Sequence, residues 1–113
     1  KGIIDSQGTK HSMVGLFYFQ TSLKTKKLTL GYRKLVENSK VNLEKPVTIN
    51  GHEFHYSSLI KNKETPHWTQ VTSTNQKLVM DGFQRKNCFA FYSHIYWGSN
   101  RAWVNFIIKS AKQ

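Results

Sequence analysis

Cysteine is almost missing from this chain. Cys88 stands alone among 113 residues, so no disulfide can form within the chain, and a reducing compartment, the cytoplasm, is the expected home. Long apolar runs are missing as well. Nothing approaches the roughly 18 to 20 consecutive apolar residues of a membrane-spanning helix, and the opening Lys1-Gly2-Ile3-Ile4-Asp5 lacks the apolar region of a secretory signal. No membrane partner is expected. Acidic residues are scarce: six Asp and Glu stand against seventeen Lys and Arg, for a net charge of +11. Such an excess favours an anionic partner, be it nucleic acid, an acidic membrane surface, or a polycarboxylate or phosphate ligand. It equally suits plain solubility, or a larger protein whose other half carries the compensating acid. The cations are spread out (Lys24, Lys26 and Lys27; Arg33 and Lys34; Lys61 and Lys63; Arg85 and Lys86), with no run of five or six. Charge alone decides nothing.

What is present points to a folded, strand-rich chain. Aromatic residues make up 13%, whereas chains that stay unfolded are poor in them. Apolar residues come in short bursts separated by polar turns. Met13 to Phe19 (MVGLFYF) is a near-continuous apolar run of strand length, suited to a sheet covered on both faces. Lys27 to Glu37 alternates, with Leu28, Leu30 and Tyr32 on one side. Val47 to Ile60 holds two strand-like runs around Asn50-Gly51, which predicts a hairpin or a bulge there. His67 to Ser73 and Lys77 to Met80 read as further strands, Asp81-Gly82 as a turn, and Asn87 to Trp97 as one long strand.

The ending differs. Ser99 or Asn100 can cap a helix on which Trp103, Phe106, Ile107 and Ser110 share one face. Lys109 and Lys112 fall in its last turns, where cations favour the helix dipole. The chain thus predicts five or six strands closed by one amphipathic helix, without internal repeat, low-complexity tract or linker. A sheet of that size with one helix is an incomplete α/β arrangement: either a sandwich or half-barrel in its own right, or a fold with a part missing.

Histidine is the first candidate for chemistry, because its neutral pKa suits a general base or a metal ligand. The five are His11, His52, His55, His67 and His94. His52 and His55, three apart on a strand, point to opposite faces and cannot share a metal unless the Asn50-Gly51 turn distorts them. No metal site is expected. Cys88 and His94 lie six apart on the predicted long strand, a separation of roughly 20 Å, whereas a nucleophile and its base need contact near about 3 Å. A local dyad is therefore rejected, and Cys88 reads as a small buried hydrophobe. His94 lies just before Gly98-Ser99-Asn100 and the helix, and strand ends at such turns are where α/β folds place ligands and catalytic groups. In Gly51 to Ser57 (GHEFHYS), Glu53, His55 and Ser57 share one face of an extended chain, and His52, Phe54 and Tyr56 the other. A carboxylate beside a histidine can orient it and raise its basicity.

GHEFHYS, preceded by Leu30-Gly31-Tyr32-Arg33, resembles the glutamine amidotransferase domain of the cobyrinic acid a,c-diamide synthase family. Asp5-Ser6-Gln7-Gly8, Met13-Val14-Gly15-Leu16 and Tyr92 to Asn100 (YSHIYWGSN) resemble family stretches in the same order, so the likeness spans nearly the whole chain. Two positions depart from the pattern. The proline that the family favours after the MVGL strand is aromatic here, at Tyr18 or Phe19, and its second late histidine is Tyr96.

The resemblance implies an α/β fold: residues 1–113 as a single partial domain, the second half of a flavodoxin-like class I glutamine amidotransferase domain, β-rich with a C-terminal amphipathic helix. It implies an ATP-dependent ligase that amidates the a and c carboxylates of a corrin-type macrocycle in cobalamin biosynthesis, or of a relative such as hydrogenobyrinic acid or a nickel sirohydrochlorin. Ammonia would come from glutamine hydrolysed at a cysteine, which His94 activates. That cysteine and its elbow would precede the MVGL strand, outside this chain, so the isolated chain is expected to be inactive. Glu53 and His55 are expected to line or support the site. ATP and magnesium would belong to an N-terminal domain of the full-length enzyme, with no cofactor in this chain. The expected partners are glutamine, the polycarboxylate substrate, that ATP domain and the cysteine-bearing half-domain, with dimerisation as one way to hide an uncovered sheet edge. The competing reading is a stand-alone basic module that binds single-stranded nucleic acid through its charge and exposed aromatics such as Tyr56 or Trp68. The motif match outweighs composition, and nucleic acid is not the expected partner.

Overall fold

The computed structural model describes residues 1–25, 27–38, 47–72, 74 and 76–112. Along them run β1 (Gly2–Ile4), β2 (Lys10–Ser12), β3 (Gln20–Ser22), β4 (Thr29–Glu37), β5 (Thr48–His55), β6 (Ser58–Ile60), β7 (Pro66–Val71), β8 (Lys77–Arg85), β9 (Cys88–Ala90), β10 (His94–Ile95) and α1 (Arg101–Ala111). The expected α/β character, rich in strand and closed by one C-terminal amphipathic helix, is present. Lys26 of the basic series and Ser73, the predicted end of the His67 strand, lie outside the described residues. The chain falls into two compact units, residues Lys1–Leu30 with Phe54–Thr65, and Gly31–Glu53 with Pro66–Gln113.

The first unit holds a four-stranded sheet in the order β2-β1-β3-β6. β1 runs antiparallel to β2 and parallel to β3, with Ile3 opposite His11 and Thr21. The turn after β1 is built on Asp5, whose carboxylate accepts the backbone N–H groups of Gln7 at 3.0 Å and Thr9 at 2.8 Å and lies 2.8 Å from His11 Nε2. The His11 hydrogen bond does most to hold this carboxyl below the ordinary carboxylate range, against desolvation. The apolar run Met13 to Phe19 does not form the expected covered strand. Gly15 takes φ +79°, which breaks an extended chain, and the Tyr18 N–H goes to the Glu64 carboxylate at 2.6 Å instead of a ladder. Val14 is left 98% exposed, with Met13 and Leu16 also in solvent.

The second unit carries a six-stranded sheet in the order β10-β5-β4-β7-β8-β9. Period-2 alternation sends Leu35 and Glu37 of β4, and Ile49, Gly51 and Glu53 of β5, to the buried side. The expected apolar stripe of Leu28, Leu30 and Tyr32 is instead the exposed one. Neither glycine dipeptide makes a turn. Asn50-Gly51 lies within β5, where Gly51 pairs with Ile95. Asp81-Gly82 lies within β8, where Gly82 takes φ +67° and a side chain would collide with the Trp68 and Phe91 rings. Both are glycines of close approach rather than of reversal.

The long strand expected from Asn87 to Trp97 is split. β9 pairs with β8, with Phe83 opposite Ala90, while β10 pairs with β5 at the other edge of the sheet. The Asp81 carboxylate draws the chain out of β9 by accepting the N–H groups of Tyr92 and Ser93 at 3.3 and 3.4 Å. A 3-10 turn over Trp97–Ser99 leads to α1.

Asn100 is the N-cap. Its side-chain oxygen accepts the Trp103 N–H at 3.1 Å, a bond worth about 1 kcal/mol. Its amide nitrogen donates to the Thr48 carbonyl at 3.1 Å, tying the helix start to β5. Helical spacing then turns Trp103 inward, 1% exposed, onto Leu35, Val47, Ile49 and Trp68. Trp103 meets Trp68, Phe89 and Phe91 nearly edge to face, with centroids 5.3, 5.4 and 6.1 Å apart. Each such pair adds about 0.5–1.5 kcal/mol beyond the area it buries. Trp68, named above as a base-stacking candidate, is therefore a core residue, while Tyr56 is exposed.

Candidate active site around His94

β10 is two residues long and brings His94 opposite His52 and Ile95 opposite Gly51. The pairing extends one step further, where the Tyr96 N–H donates to the Asn50 carbonyl at 2.8 Å. Ser99 locks the exit from the strand. Its hydroxyl accepts the Asn50 N–H at 3.0 Å and donates to the Tyr96 carbonyl at 2.7 Å. The His94 and His52 side chains are both exposed, and their rings meet at 76° with centroids 4.8 Å apart. An exposed imidazole on a tightly paired strand end can exchange a proton with a group brought to it.

Behind this pair lies a buried polar network. Arg33 Nε donates to Glu53 Oε2 at 2.7 Å, both side chains being nearly enclosed. Gln70, 1% exposed, directs Nε2 at Glu53 Oε1 and Asp81 Oδ2, each at 2.9 Å, and at Ser93 Oγ at 3.1 Å. Removing one partner of such a buried ion pair costs about 3–5 kcal/mol, because the other charge stays enclosed. On the open side, Tyr32, Arg33, Lys34, Asn50 and Gly51 line a depression of about 270 Å³.

The sequence-derived site residues are only partly brought together. Glu53 lies on the buried side of β5, beside His52 in the chain, but its carboxylate goes to Arg33 and Gln70. His55 belongs to the first unit, half-buried, with Nδ1 2.8 Å from the Ser57 carbonyl. Cys88 is exposed rather than buried, and lies on the edge strand opposite the one that carries His94. Among the described residues, no three His, Cys, Asp or Glu side chains gather as a metal site would require. Sequence reasoning missed Arg33, Gln70, Asp81 and Ser93. Polar residues in strand-like stretches resemble a solvated face, and only the folded chain reveals that these four are joined through Glu53 and Gln70.

Comparison with known proteins adds the following. Residues 1–102 match the model of the CobB/CobQ-like glutamine amidotransferase domain. A cobyrinate a,c-diamide synthase of Priestia megaterium is 32% identical over 98% of this chain and 24% of its own length. One from Saccharolobus solfataricus is 36% identical over 88% of the chain and 23% of its own length. A hydrogenobyrinate a,c-diamide synthase of Rhizobium meliloti is 28% identical over 84% of the chain and 22% of its own length. The chain spans about a quarter of the length of these curated relatives. No solved structure gives a significant match.

Proposed function

The chain belongs to the family of CobB/CobQ-like glutamine amidotransferase domains, and from that premise we propose that it is the histidine-bearing part of a cobyrinate a,c-diamide synthase. In that enzyme, ammonia released from glutamine amidates the a and c carboxylates of a corrin-type substrate. The observation that carries the reading is the placement of His94: exposed at the end of a short strand, locked by Asn50 and Ser99, within the family-matched region.

The His94 imidazole takes the thiol proton of a cysteine supplied from outside these 113 residues, and the thiolate attacks the side-chain amide carbon of glutamine. The imidazolium returns that proton to the departing nitrogen as the C–N bond breaks, releasing ammonia. Water then gives a proton to His94 and attacks the thioester, freeing glutamate and the thiol. Glu53 supports the site from behind, through Arg33 and Gln70. ATP would activate the substrate carboxylate with magnesium. Both would belong to an N-terminal domain of the full-length enzyme. The positive charge of this chain suits a substrate bearing several carboxylates.

The test is His94→Ala in the full-length enzyme. Glutamine-dependent amidation should be abolished while amidation with free ammonia persists. Loss of both, or retention of both, would sink the reading. Glutaminase assays of the chain, alone and mixed with the preceding polypeptide, give a second check: activity is expected only in the mixture.

A further inference from the structure

The network behind the site has a geometry that stability alone does not explain. After Ala90 the chain leaves one edge of the sheet and re-enters it at the other as β10, and Phe91 to Ser93 lie in no strand. Ser93 is thus the last residue fixed before His94. It is held twice: its N–H goes to Asp81 Oδ2, and its hydroxyl lies 3.1 Å from Gln70 Nε2. The same Gln70 nitrogen reaches Glu53, whose chain neighbour His52 faces His94 across the ladder. β5 and the residue that leads into β10 are therefore tied to one side-chain amide.

We infer that Asp81 and Gln70 are positioning residues for His94, fixing Ser93 at the entry to β10 and the Glu53 side chain of β5 so that the imidazole is presented in one orientation. The inference rests on His94 being the amidotransferase histidine. Asp81, Gln70 and Ser93 are buried, whereas the His94 ring is exposed, so their action on the reacting atoms is indirect. Apolar side chains of the same volume could replace a buried polar cluster at little cost to stability. They could not hold the Tyr92 and Ser93 N–H groups or the Ser93 hydroxyl, and the approach to β10 would lose its anchor. Gln70 offers two hydrogens to three acceptors within 3.1 Å, while its Oε1 is buried without a hydrogen-bond partner among the described residues. The amide is oriented by the two carboxylates, and they by Arg33 and the Tyr92–Ser93 backbone.

The experiment compares Asp81→Asn, Ser93→Ala and His94→Ala in the full-length enzyme. Asparagine keeps the shape of Asp81 but turns one acceptor into a donor, which must face either Gln70 Nε2 and the Ser93 N–H or the Tyr92 N–H. Ser93→Ala removes only the hydroxyl, and serves if Asp81→Asn fails to fold. Four quantities are read: glutamine-dependent kcat, KM for glutamine, the rate with free ammonia, and the rate at which an electrophilic glutamine analogue labels the nucleophilic cysteine. Misplacing a catalytic group by about 1 Å costs on the order of a hundredfold, so Asp81→Asn should lower glutamine-dependent kcat and the labelling rate by about tenfold to a hundredfold. KM should hold within about twofold and the ammonia-dependent rate should be unchanged, with a smaller fall in the same pattern for Ser93→Ala. Unchanged labelling and kcat in both variants, with His94→Ala inactive on glutamine, overturns the inference and leaves the role of His94 standing. A parallel fall of the glutamine and ammonia rates overturns it as a plain folding defect. Full glutamine activity in His94→Ala removes the reading beneath it.

Discussion

A β-carbon on Gly51 would stand 2.6 Å from the backbone carbonyl oxygen of His94. The absence of a side chain at Gly51 is therefore what lets β10 lie close enough to β5 to pair. Gly51→Ala should push β10 away, at a cost of about 1–3 kcal/mol as for other overpacked sites. In the full-length enzyme the expected result is a fall of about tenfold or more in glutamine-dependent amidation, with the ammonia-dependent rate retained. Parallel assays with the two nitrogen donors check it.

Trp103 joins the helix to the sheet. Truncation to alanine would strip the core of its contacts with Trp68, Phe89 and Phe91, and should destabilise by about 3–5 kcal/mol. Trp103→Phe should cost less, because it keeps an aromatic ring against these partners while shedding, as alanine also does, a buried indole N–H that has no acceptor among the described residues. Urea denaturation of the two variants against the parent would show the order.

Asp5 makes the turn after β1 acid-sensitive. Its carboxyl is held below the ordinary value of 3.8, chiefly by the His11 hydrogen bond and further by the N–H groups of Thr9 and Gln7. A depressed pKa stabilises the folded turn above the ordinary carboxylate value, and that gain is lost as pH falls through the depressed one. The amide resonances of Gln7 and Thr9 should therefore shift together at a pH below 3.8, and Asp5→Asn should remove the transition. A midpoint above the ordinary value would contradict this sign.

The features legible from sequence were those in which local pattern and final packing agree. The period of Trp103, Phe106 and Ile107 marks α1, and alternation in GHEFHYS places Glu53 on one face and His52 and Phe54 on the other as expected, the structure burying the first face and exposing the second. Local signals misled wherever a distant partner decides the outcome. Asn50-Gly51 has the composition of a turn, yet Gly51 serves a close contact with a strand more than forty residues later. Asp81-Gly82 likewise serves the Trp68 ring and the Tyr92–Ser93 backbone. The apolar run at Met13 is broken by the positive φ of Gly15, which no hydrophobicity pattern could reveal. The family motif singled out His94 as a candidate, but nothing local singled out Gln70 or Asp81. Their meaning lies in strand order, which a linear pattern does not encode.

The shortness of β10 has a consequence for motion. At two residues it is the shortest described strand, and it lies at the sheet edge with β5 as its one ladder neighbour among the described residues. Detaching it breaks few backbone bonds, whereas detaching β5 or β4 must part a strand from neighbours on both sides. His94 thus rides on an element that can open in a local unfolding equilibrium while the aromatic core stays closed. A ligand that contacts His94 only in the paired state draws on that equilibrium, and its binding energy goes in part to holding the strand in place.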